Sequence, residues 1–319
     1  MTITQLHYVL AVAEHKNFTK AAQKVFVTQP TLSMQIQKLE DELEVTIFDR
    51  TKKPIQLTEV GEKIVQQARN IVNESDRIQD IVDQQKGFIG GIFRLGVIPT
   101  IMPTLLPMFI GNFMKKYPKV KLKIEELHTE AILEKLKEGH LDAAIAATPL
   151  KMEGIKEYVL YYEPFVPYIP SSVNAEVSDK IDVDDLDINK MLLLEDGHCF
   201  KDGIMNLCNA SRDYDGDQLQ LESGSFETLI KLANDGLGMT LLPYLHTLEL
   251  KEDEKKNLKM FKDPVPAREV SLIYNRSELK MQILEALRST IAGVVKGAIT
   301  FQNVKIISPL SNKKENQNN

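Results

Sequence analysis

A chain of 319 residues is longer than one typical domain, so we expect two or three compact units. Its composition, 43% hydrophobic and 26% charged, is typical of globular proteins and excludes a chain that is disordered or fibrous throughout. The net charge of −6 argues against a wholly basic nucleic-acid binder. With no apolar run of membrane-span length and no signal-peptide pattern at the N-terminus, we expect a cytoplasmic protein without a membrane partner.

The first 57 residues carry the pattern of three short helices. Apolar residues at positions 6, 9, 10 and 13 form one stripe of a helix. Thr19 and Thr28 are predicted to cap the second and third helices. This order predicts a helix-turn-helix, in which the N-terminal side chains of the last helix face base edges in the major groove. The candidate DNA contacts there are Thr28, Gln29, Pro30, Thr31, Ser33, Met34 and Lys38.

A basic turn follows the three helices. The segment FDRTKKPIQLT, residues 48 to 58, predicts two short strands that form a wing. Its Arg50, Lys52 and Lys53 are candidates for phosphate contacts, which position a protein on DNA without specifying sequence. Because residues 1 to 57 hold seven cations against six anions, charge balance alone is weak evidence. The alternative is that each of these side chains only faces solvent.

A family resemblance rests on these residues. The segment FTKAAQKVFVTQPTLSMQIQKLEDELEVTIFDR, residues 18 to 50, resembles the signature of the LysR-type regulators. It departs from the family at Glu44, where a glycine is common, and at Gln37, where a basic residue is frequent. The resemblance implies a winged helix-turn-helix, a linker helix that dimerises, and an effector domain similar to periplasmic binding proteins. It also implies double-stranded promoter DNA and RNA polymerase as partners, and a homodimer or homotetramer.

A long helix is expected next. Thr58 can open it, and Ile64, Ile71 and Ile78 fall seven residues apart, which is typical of a seam for a partner helix. Ala68 and Val82 lie alongside. The alternative is that this face packs on the protein's own core.

Beyond residue 91, short apolar strands alternate with helices. This alternation predicts an α/β fold with a parallel sheet and crossover helices. We therefore expect an α/β effector domain of two lobes behind the winged helix-turn-helix and linker helix. The expected limits are residues 1–58 for the DNA-binding domain, 59–87 for the linker helix, 88–301 for the effector domain and 302–319 for a disordered tail. Within the effector domain, one lobe is expected to comprise residues 88–163 and 265–301, and the other residues 164–264.

Cys199 and Cys208 form the main chemical feature of the effector half. In MLLLEDGHCFKDGIMNLCNA, residues 191 to 210, a strand over Met191–Leu194 and then a helix are predicted, with Cys199 near the helix start. A helix N-terminus favours a thiolate, which can attack a peroxide and give a sulfenic acid that a second thiol condenses into a disulfide. The alternatives are two inert core thiols, or a metal site, which is disfavoured because only His198 is an obvious additional ligand.

Distance would make such a disulfide a switch. Nine residues of helix span about 13 Å, whereas the Cα atoms of a disulfide lie about 4.4 to 6.8 Å apart. The helix would therefore have to unfold, and Gly203 inside it lowers its stability by about 1 kcal/mol relative to alanine.

The segments RLGVIPT, LEDGHC and TLLP resemble the hydrogen-peroxide-responsive activators of the LysR-type family. The resemblance implies that Cys199 is the peroxidatic cysteine and Cys208 the resolving one. We then expect a peroxide-sensing regulator that is not an enzyme and has no cofactor and no metal. Two alternatives stay open: a LysR-type regulator that binds a metabolite and has structural cysteines, and a thiol peroxidase. The other residues matched to the peroxide site are Thr100, Thr129, His198, Asp202 and Arg268.

Overall fold

The computed structural model divides the chain into two compact units. One comprises Met1–Phe88 with Lys137–His140, and the other Ile89–Leu136 with Leu141–Asn319. Among the described residues, no helix combines the length and the apolarity needed to cross a membrane. The structure describes residues 1–85, 89–174, 178–208, 224–276, 278, 280–299 and 303–309.

The N-terminal unit is a winged helix-turn-helix followed by a long helix. Strands β1 and β2 pair antiparallel and form the wing. The three predicted helices and the wing are therefore confirmed. The elements are α1 Ile3–His15, α2 Phe18–Lys24, α3 Gln29–Leu43, β1 Phe48–Asp49, β2 Gln56–Leu57 and α4 Glu59–Gln85.

Helix ends in this unit follow local side-chain chemistry. Thr28 caps α3 as expected, with its hydroxyl accepting from the Thr31 N–H at 3.4 Å. The expected Thr19 cap of α2 is wrong: Asn17 precedes the helix and accepts from the Lys20 N–H at 3.0 Å. Asparagine caps at least as well as threonine, and here it stands where the backbone is still extended. Glu44 ends α3 with a φ of 54°, the left-handed conformation that glycine favours.

The long helix α4 has two different halves. Thr58 opens it as predicted, accepting from the Gly61 N–H at 2.9 Å. Ala68 is buried in the core of the N-terminal unit, and Ile64 and Ile71 pack against that core. Ile78, in contrast, is 65% exposed, and Val82 is exposed as well. The predicted seam therefore splits into a part that packs on its own unit and an exposed part.

The second unit is built on one mixed sheet. Its elements are β3 Gly91–Val97, α5 Met102–Lys116, β4 Val120–Glu126, α6 Thr129–Lys137, β5 Ala143–Thr148, β6 Ile155–Tyr168, β7 Lys180–Ile181, α7 Cys199–Leu207, α8 Phe226–Asn234, β8 Thr240–Pro243, α9 Tyr244–Thr247, α10 Glu252–Lys255, β9 Met260–Phe261, β10 Val265–Asn275, α11 Met281–Val295 and β11 Val304–Ile306. The strand order of the mixed sheet is β4-β3-β5-β10-β6-β8, with β11 beside β10, and β7 and β9 form a separate parallel pair.

The expected parallel sheet is only partly present. Strand β3 pairs parallel with β4 and β5, but β10 pairs antiparallel with both β5 and β6. The reason is topological: the chain leaves one lobe along β6 and returns along β10, so these neighbours run in opposite directions. Met191–Leu194 is not a strand either, since Met191 makes only an isolated bridge to Met239.

The tail expected to be disordered from residue 302 contains a strand. Strand β11 pairs parallel with the start of β10, with Val304 opposite Val265. The expectation is thus wrong for Val304–Ile306, because their backbone groups are satisfied by the edge of β10; residues 310–319 lie outside the described part. The other domain and lobe limits remain predictions.

Two hydrophobic clusters form the core of the second unit. The first joins β3, β5, α5 and α11, and Cys199 belongs to it. The second joins the end of β6 to α8 and β8, and Cys208 packs against it. Helix α7 contributes Phe200 and Ile204 to this second cluster. Its first residue therefore lies in one cluster while the rest of the helix packs on the other.

Candidate functional site

Helix α3 exposes most of the side chains that the sequence predicts to contact DNA. Leu32, Ile36 and Leu39 are buried on its inner face. Ser33 is half-buried. Arg50 is exposed but also forms an ion pair. The other candidate residues are exposed: Thr28, Gln29, Pro30, Thr31, Met34, Lys38, Lys52 and Lys53.

Arg50 is held by neighbours within the N-terminal unit. Its guanidinium donates to the Glu40 Oε2 at 2.7 Å and to the Ser33 hydroxyl at 3.4 Å, and it lies over the Phe18 ring at 5.1 Å. The other oxygen of the buried Glu40 accepts from the Ile47 N–H at 2.7 Å. Arg50 therefore joins the wing to α3, a structural role that was not predicted from the sequence.

Phe26 is a further exposed residue of the helix-turn-helix, and it was not predicted from the sequence. It lies in the turn between α2 and α3 with a φ of 56° and 95% exposure. A large aromatic side chain so exposed in this turn is a further candidate for contact with DNA. Sequence periodicity gave no signal for it, because a residue in a turn belongs to no helical stripe.

Cys199 is the first residue of α7 and its side chain is buried. The predicted position at a helix start is confirmed. The predicted lowering of its pKa is not, because burial raises the pKa of the Cys199 thiol. Against burial, the Arg268 guanidinium, the Thr129 hydroxyl and the Ala147 N–H all lower the pKa. The Cys199 side chain thus packs among apolar residues, but it also lies beside groups that stabilise a negative charge on the sulfur.

Arg268 is the centre of a buried polar network. It pairs with Glu163 through two hydrogen bonds to Oε2, from Nε at 2.9 Å and from Nη2 at 2.7 Å. It also donates to the Thr100 hydroxyl at 2.8 Å and to the Thr100 carbonyl at 3.0 Å. Its guanidinium lies 5.1 Å from the centroid of the Phe200 ring. The structure therefore brings Arg268 and Thr100 together, next to Cys199.

Thr129, Asp202 and His198 complete the surroundings of the thiol. The Thr129 oxygen is buried and has no hydrogen-bond partner of ordinary geometry within the described residues. Asp202, in the first turn of α7, raises the pKa of Cys199 through its negative charge. His198 precedes the helix and is buried, and burial lowers the pKa of its imidazole. A buried hydroxyl beside the thiol can hydrogen-bond a small polar ligand that reaches the sulfur.

Cys208 lies at the other end of α7. It is the residue that ends the helix, it is half-buried, and burial raises its pKa to about 11. Both cysteines are free thiols. The helix between them is regular, and at the usual rise it separates the two Cα atoms by about 13 Å. A disulfide cannot form in this conformation.

The partners of Arg268 were not predicted from the sequence. Glu163 is almost completely buried, and its Oε1 accepts from the Leu245 N–H at 3.0 Å. Tyr161, two residues earlier, has a buried hydroxyl without a partner among the described residues, and its pKa is raised well above the usual range by burial. A signal was available, since a glutamate inside an apolar strand requires a buried cation.

Two family models match this chain. The model of the bacterial regulatory helix-turn-helix proteins of the lysR family matches residues 3–62. The model of the LysR substrate binding domain matches residues 86–295. Together they cover both units of the structure.

Individual relatives agree over nearly the whole length. The chain is 36% identical over 300 residues to the DNA-binding transcriptional dual regulator OxyR of Escherichia coli K12, covering 92% of this chain and 97% of that protein. A cysteine-to-aspartate variant of full-length OxyR from Pseudomonas aeruginosa is 32% identical, with a TM-score of 0.74, covering 92% of this chain and 98% of that one.

A third relative has its ligand bound. A cysteine-to-serine variant of OxyR from Corynebacterium glutamicum, bound to H2O2, is 28% identical with a TM-score of 0.61, covering 95% of this chain and 98% of that one. The chain belongs to the LysR-type transcriptional regulators and, within them, to the family of the hydrogen peroxide-inducible genes activators.

Proposed function

We propose that this chain is a DNA-binding transcriptional regulator that senses hydrogen peroxide through Cys199 and Cys208 and then activates oxidative-stress genes. One observation carries the proposal. Cys199 begins α7 beside Arg268 and Thr129, which favour its charged form, while the second thiol closes the same helix. The relatives named for peroxide response, and the one with H2O2 bound, support this choice of ligand.

The chemistry proceeds in two balanced steps. The Cys199 thiolate attacks one oxygen of H2O2, the O–O bond breaks, and with one proton taken up the products are a sulfenic acid and water. The Cys208 thiol then displaces the sulfenic oxygen, which leaves as a second water, and an S–S bond forms. The two thiols lose two electrons in total, and the peroxide gains them.

The residues around the thiol have distinct roles in this proposal. Arg268, held in place by Glu163, stabilises negative charge on the sulfur and on the departing oxygen. Thr129 and Thr100 offer hydroxyls for the peroxide oxygens, and His198 and Asp202 border the same space. The buried setting excludes water and larger ligands, which would favour a small oxidant.

Disulfide formation requires α7 to unfold, and this is the proposed signal. Gly203 weakens the helix, and its missing side chain also leaves room for the Phe165 ring, which would lie 3.3 Å from a β-carbon. Pulling Cys208 toward Cys199 would remove Phe200 and Ile204 from the second hydrophobic cluster. The second hydrophobic cluster would then have to repack, and this conformational change would alter how the protein binds DNA.

The DNA-binding part would follow the family. The exposed start of α3 would enter the major groove, and Lys52 and Lys53 of the wing would contact phosphates. The exposed Ile78 and Val82 of α4 are suited to pairing with a second copy, giving a homodimer or homotetramer that recruits RNA polymerase. We place this protein in the cytoplasm, where reducing conditions would keep both thiols reduced until peroxide arrives.

One experiment tests the proposal. Thiol state, promoter footprint and transcription are measured together, with and without H2O2, in wild type, Cys199→Ser and Cys208→Ser. Wild type is expected to lose two hydrogens in mass and to change its footprint. Cys208→Ser should stop at a sulfenic acid that a dimedone adduct reveals, and Cys199→Ser should not respond.

Each contrary result points to one alternative. An unchanged footprint and transcription in fully oxidised wild type would sink the sensor proposal. A Cys199→Ser protein that regulates normally would indicate a metabolite-responsive regulator with structural cysteines. Sustained turnover of H2O2 with a reductant would indicate a thiol peroxidase, whereas a regulator oxidises once per signal.

A further inference from the structure

Three side chains with metal-binding atoms converge next to the thiol site. His128 lies just before α6, and Glu195 and His198 lie in the loop just before α7. One ligand atom from each lies within 4.8 Å of the other two. The His198 Nε2 and the Glu195 Oε1 are 3.5 Å apart. Two ligands of one tetrahedral zinc ion lie about 3.3 Å apart, so this pair already has a suitable spacing.

The buried imidazole of His198 supplies independent evidence for a ligand. His198 is 3% exposed, and apart from the Glu195 Oε1 at 3.5 Å, too long for a hydrogen bond of ordinary geometry, its Nε2 has no partner among the described residues. A buried nitrogen left in this state costs free energy unless something occupies the space in front of it. His128 lies against the same ring, with the ring centroids 4.7 Å apart and the planes at 80°. The His198 Nε2 therefore lies next to two further metal-binding groups without a well-formed hydrogen bond to either.

Glycines keep this place open. Gly197 adopts a φ of 89°, which lets the loop fold back between Glu195 and His198. A β-carbon on Gly224 would lie 3.2 Å from the Glu195 Oε1 and 3.3 Å from the His198 Nε2. The missing side chain there leaves space beside both atoms. Because His128 is exposed, it can rotate toward an ion, and it leaves a path from solvent.

We infer that His128, Glu195 and His198 bind a divalent transition-metal ion of the zinc class, and that the bound ion restrains the start of α7. Two imidazoles and one carboxylate are a common ligand set for zinc, with water in the fourth position. The expectation of no metal considered only His198 beside the two cysteines. The fold instead brings His128 from another loop, and neither cysteine is needed.

The bound ion would act on the proposed peroxide switch. It would tie the residue that precedes α7 to the loop before α6, so the helix start could not move freely. Oxidation of Cys199 leads to a disulfide only after α7 unfolds, and a restrained start would slow that step. This part of the inference rests on the proposed function, whereas metal binding does not.

Binding is tested first, without the thiols. Zn²⁺ is titrated by calorimetry into the untagged full-length Cys199→Ser/Cys208→Ser protein, and Co²⁺ is followed by its visible absorption. We expect one ion per chain. His128→Gln and Glu195→Gln should each weaken binding by more than about tenfold, since changes outside the ligand set alone can cost that much.

His140→Gln is the matched control. It removes a histidine that pairs with Glu138 at 3.1 Å but is not part of the cluster of three, so it should leave Zn²⁺ affinity unchanged. Equal loss of affinity in His140→Gln, or no loss in His128→Gln, would overturn the site. The thiol-free background ensures that this result does not depend on peroxide chemistry.

Coupling is tested in the protein with both cysteines. The rate of disulfide formation after a pulse of H2O2 is measured by mass, with and without saturating Zn²⁺. We expect Zn²⁺ to slow wild type several-fold and to leave His128→Gln unaffected. Binding without slowing would overturn the restraint on α7. If no disulfide forms in any sample while Zn²⁺ still binds, the proposed function has failed and the metal site has not.

Discussion

Each unit of the molecule contains an arginine that pairs with a buried glutamate and lies over a phenylalanine ring. In the N-terminal unit Arg50 pairs with Glu40, and in the second unit Arg268 pairs with Glu163, both at 2.7 Å. Both guanidiniums lie 5.1 Å from the ring centroid. The difference is burial: the side chains are 36% and 5% exposed in the first pair, but 3% and 1% exposed in the second.

This difference separates two uses of the same contact. Water screens the Arg50 charge, so that pair mainly joins the wing to α3. The Arg268 charge is hidden from water, so its field acts strongly on neighbours, and Cys199 is one of them. Removal of Arg268 should therefore cost much more stability than removal of Arg50.

The largest effect is expected for Arg268→Gln. It leaves the carboxylate of Glu163 buried without its cation, which costs about 3 to 5 kcal/mol in the free energy of opening the sheet. Hydrogen exchange of the β6 and β10 amides measures this loss locally. The double variant Glu163→Gln/Arg268→Gln should recover a substantial part of the lost free energy, because no charged group is then buried without a partner. A single variant as stable as wild type would show that the burial comparison is wrong.

A smaller loss is expected for Arg50→Gln. Glu40, although buried, keeps its hydrogen bonds from the Ile47 and Phe48 N–H groups, and it loses only a cation that water already screens. We expect about 1 to 2 kcal/mol, measured by hydrogen exchange of the β1 and β2 amides. Lys52→Gln, in the same wing, is the control and should leave these amides unchanged. A loss of free energy as large as that of Arg268→Gln would contradict the conclusion that water screens the Arg50 charge.

The smallest effect, of opposite sign, is expected for Glu44→Gly. Glu44 holds a left-handed backbone at the end of α3, which costs a residue with a β-carbon about 1 kcal/mol. Glycine there should slow exchange of the last amides of α3 without touching either ion pair. Faster exchange at these amides would mean that the Glu44 side chain stabilises the helix end more than its left-handed backbone destabilises it.

Local patterns predicted the helices of the N-terminal unit and the helix that follows Cys199. In both regions apolar spacing specifies the helix without reference to distant parts of the chain, and in the N-terminal unit capping residues also mark the helix starts. The direction of β10 was not predictable in this way, because it depends on β6, more than a hundred residues earlier. The strand at Val304–Ile306 was missed for a similar reason: its pairing partner, rather than its composition, makes it a strand.

The site shows the same division. Cys199 and Cys208 were found from their spacing, and Arg268 and the two threonines from resemblance. The net pKa of Cys199 was not predicted, because a helix start favours a thiolate but only the fold reveals how deeply the thiol is buried. Glu163 and His128 were missed because each acts through a residue distant in sequence.

Helix α7 begins in one hydrophobic cluster and packs along the other. Its folded form is therefore stabilised in part by side chains that take no part in the thiol chemistry, such as those of Phe165 and Phe226, whose rings contact Phe200. The concentration of oxidant that triggers the response would depend on how firmly those rings hold the helix. Sensitivity to peroxide could then change during evolution through ordinary core substitutions, with the reactive chemistry left untouched.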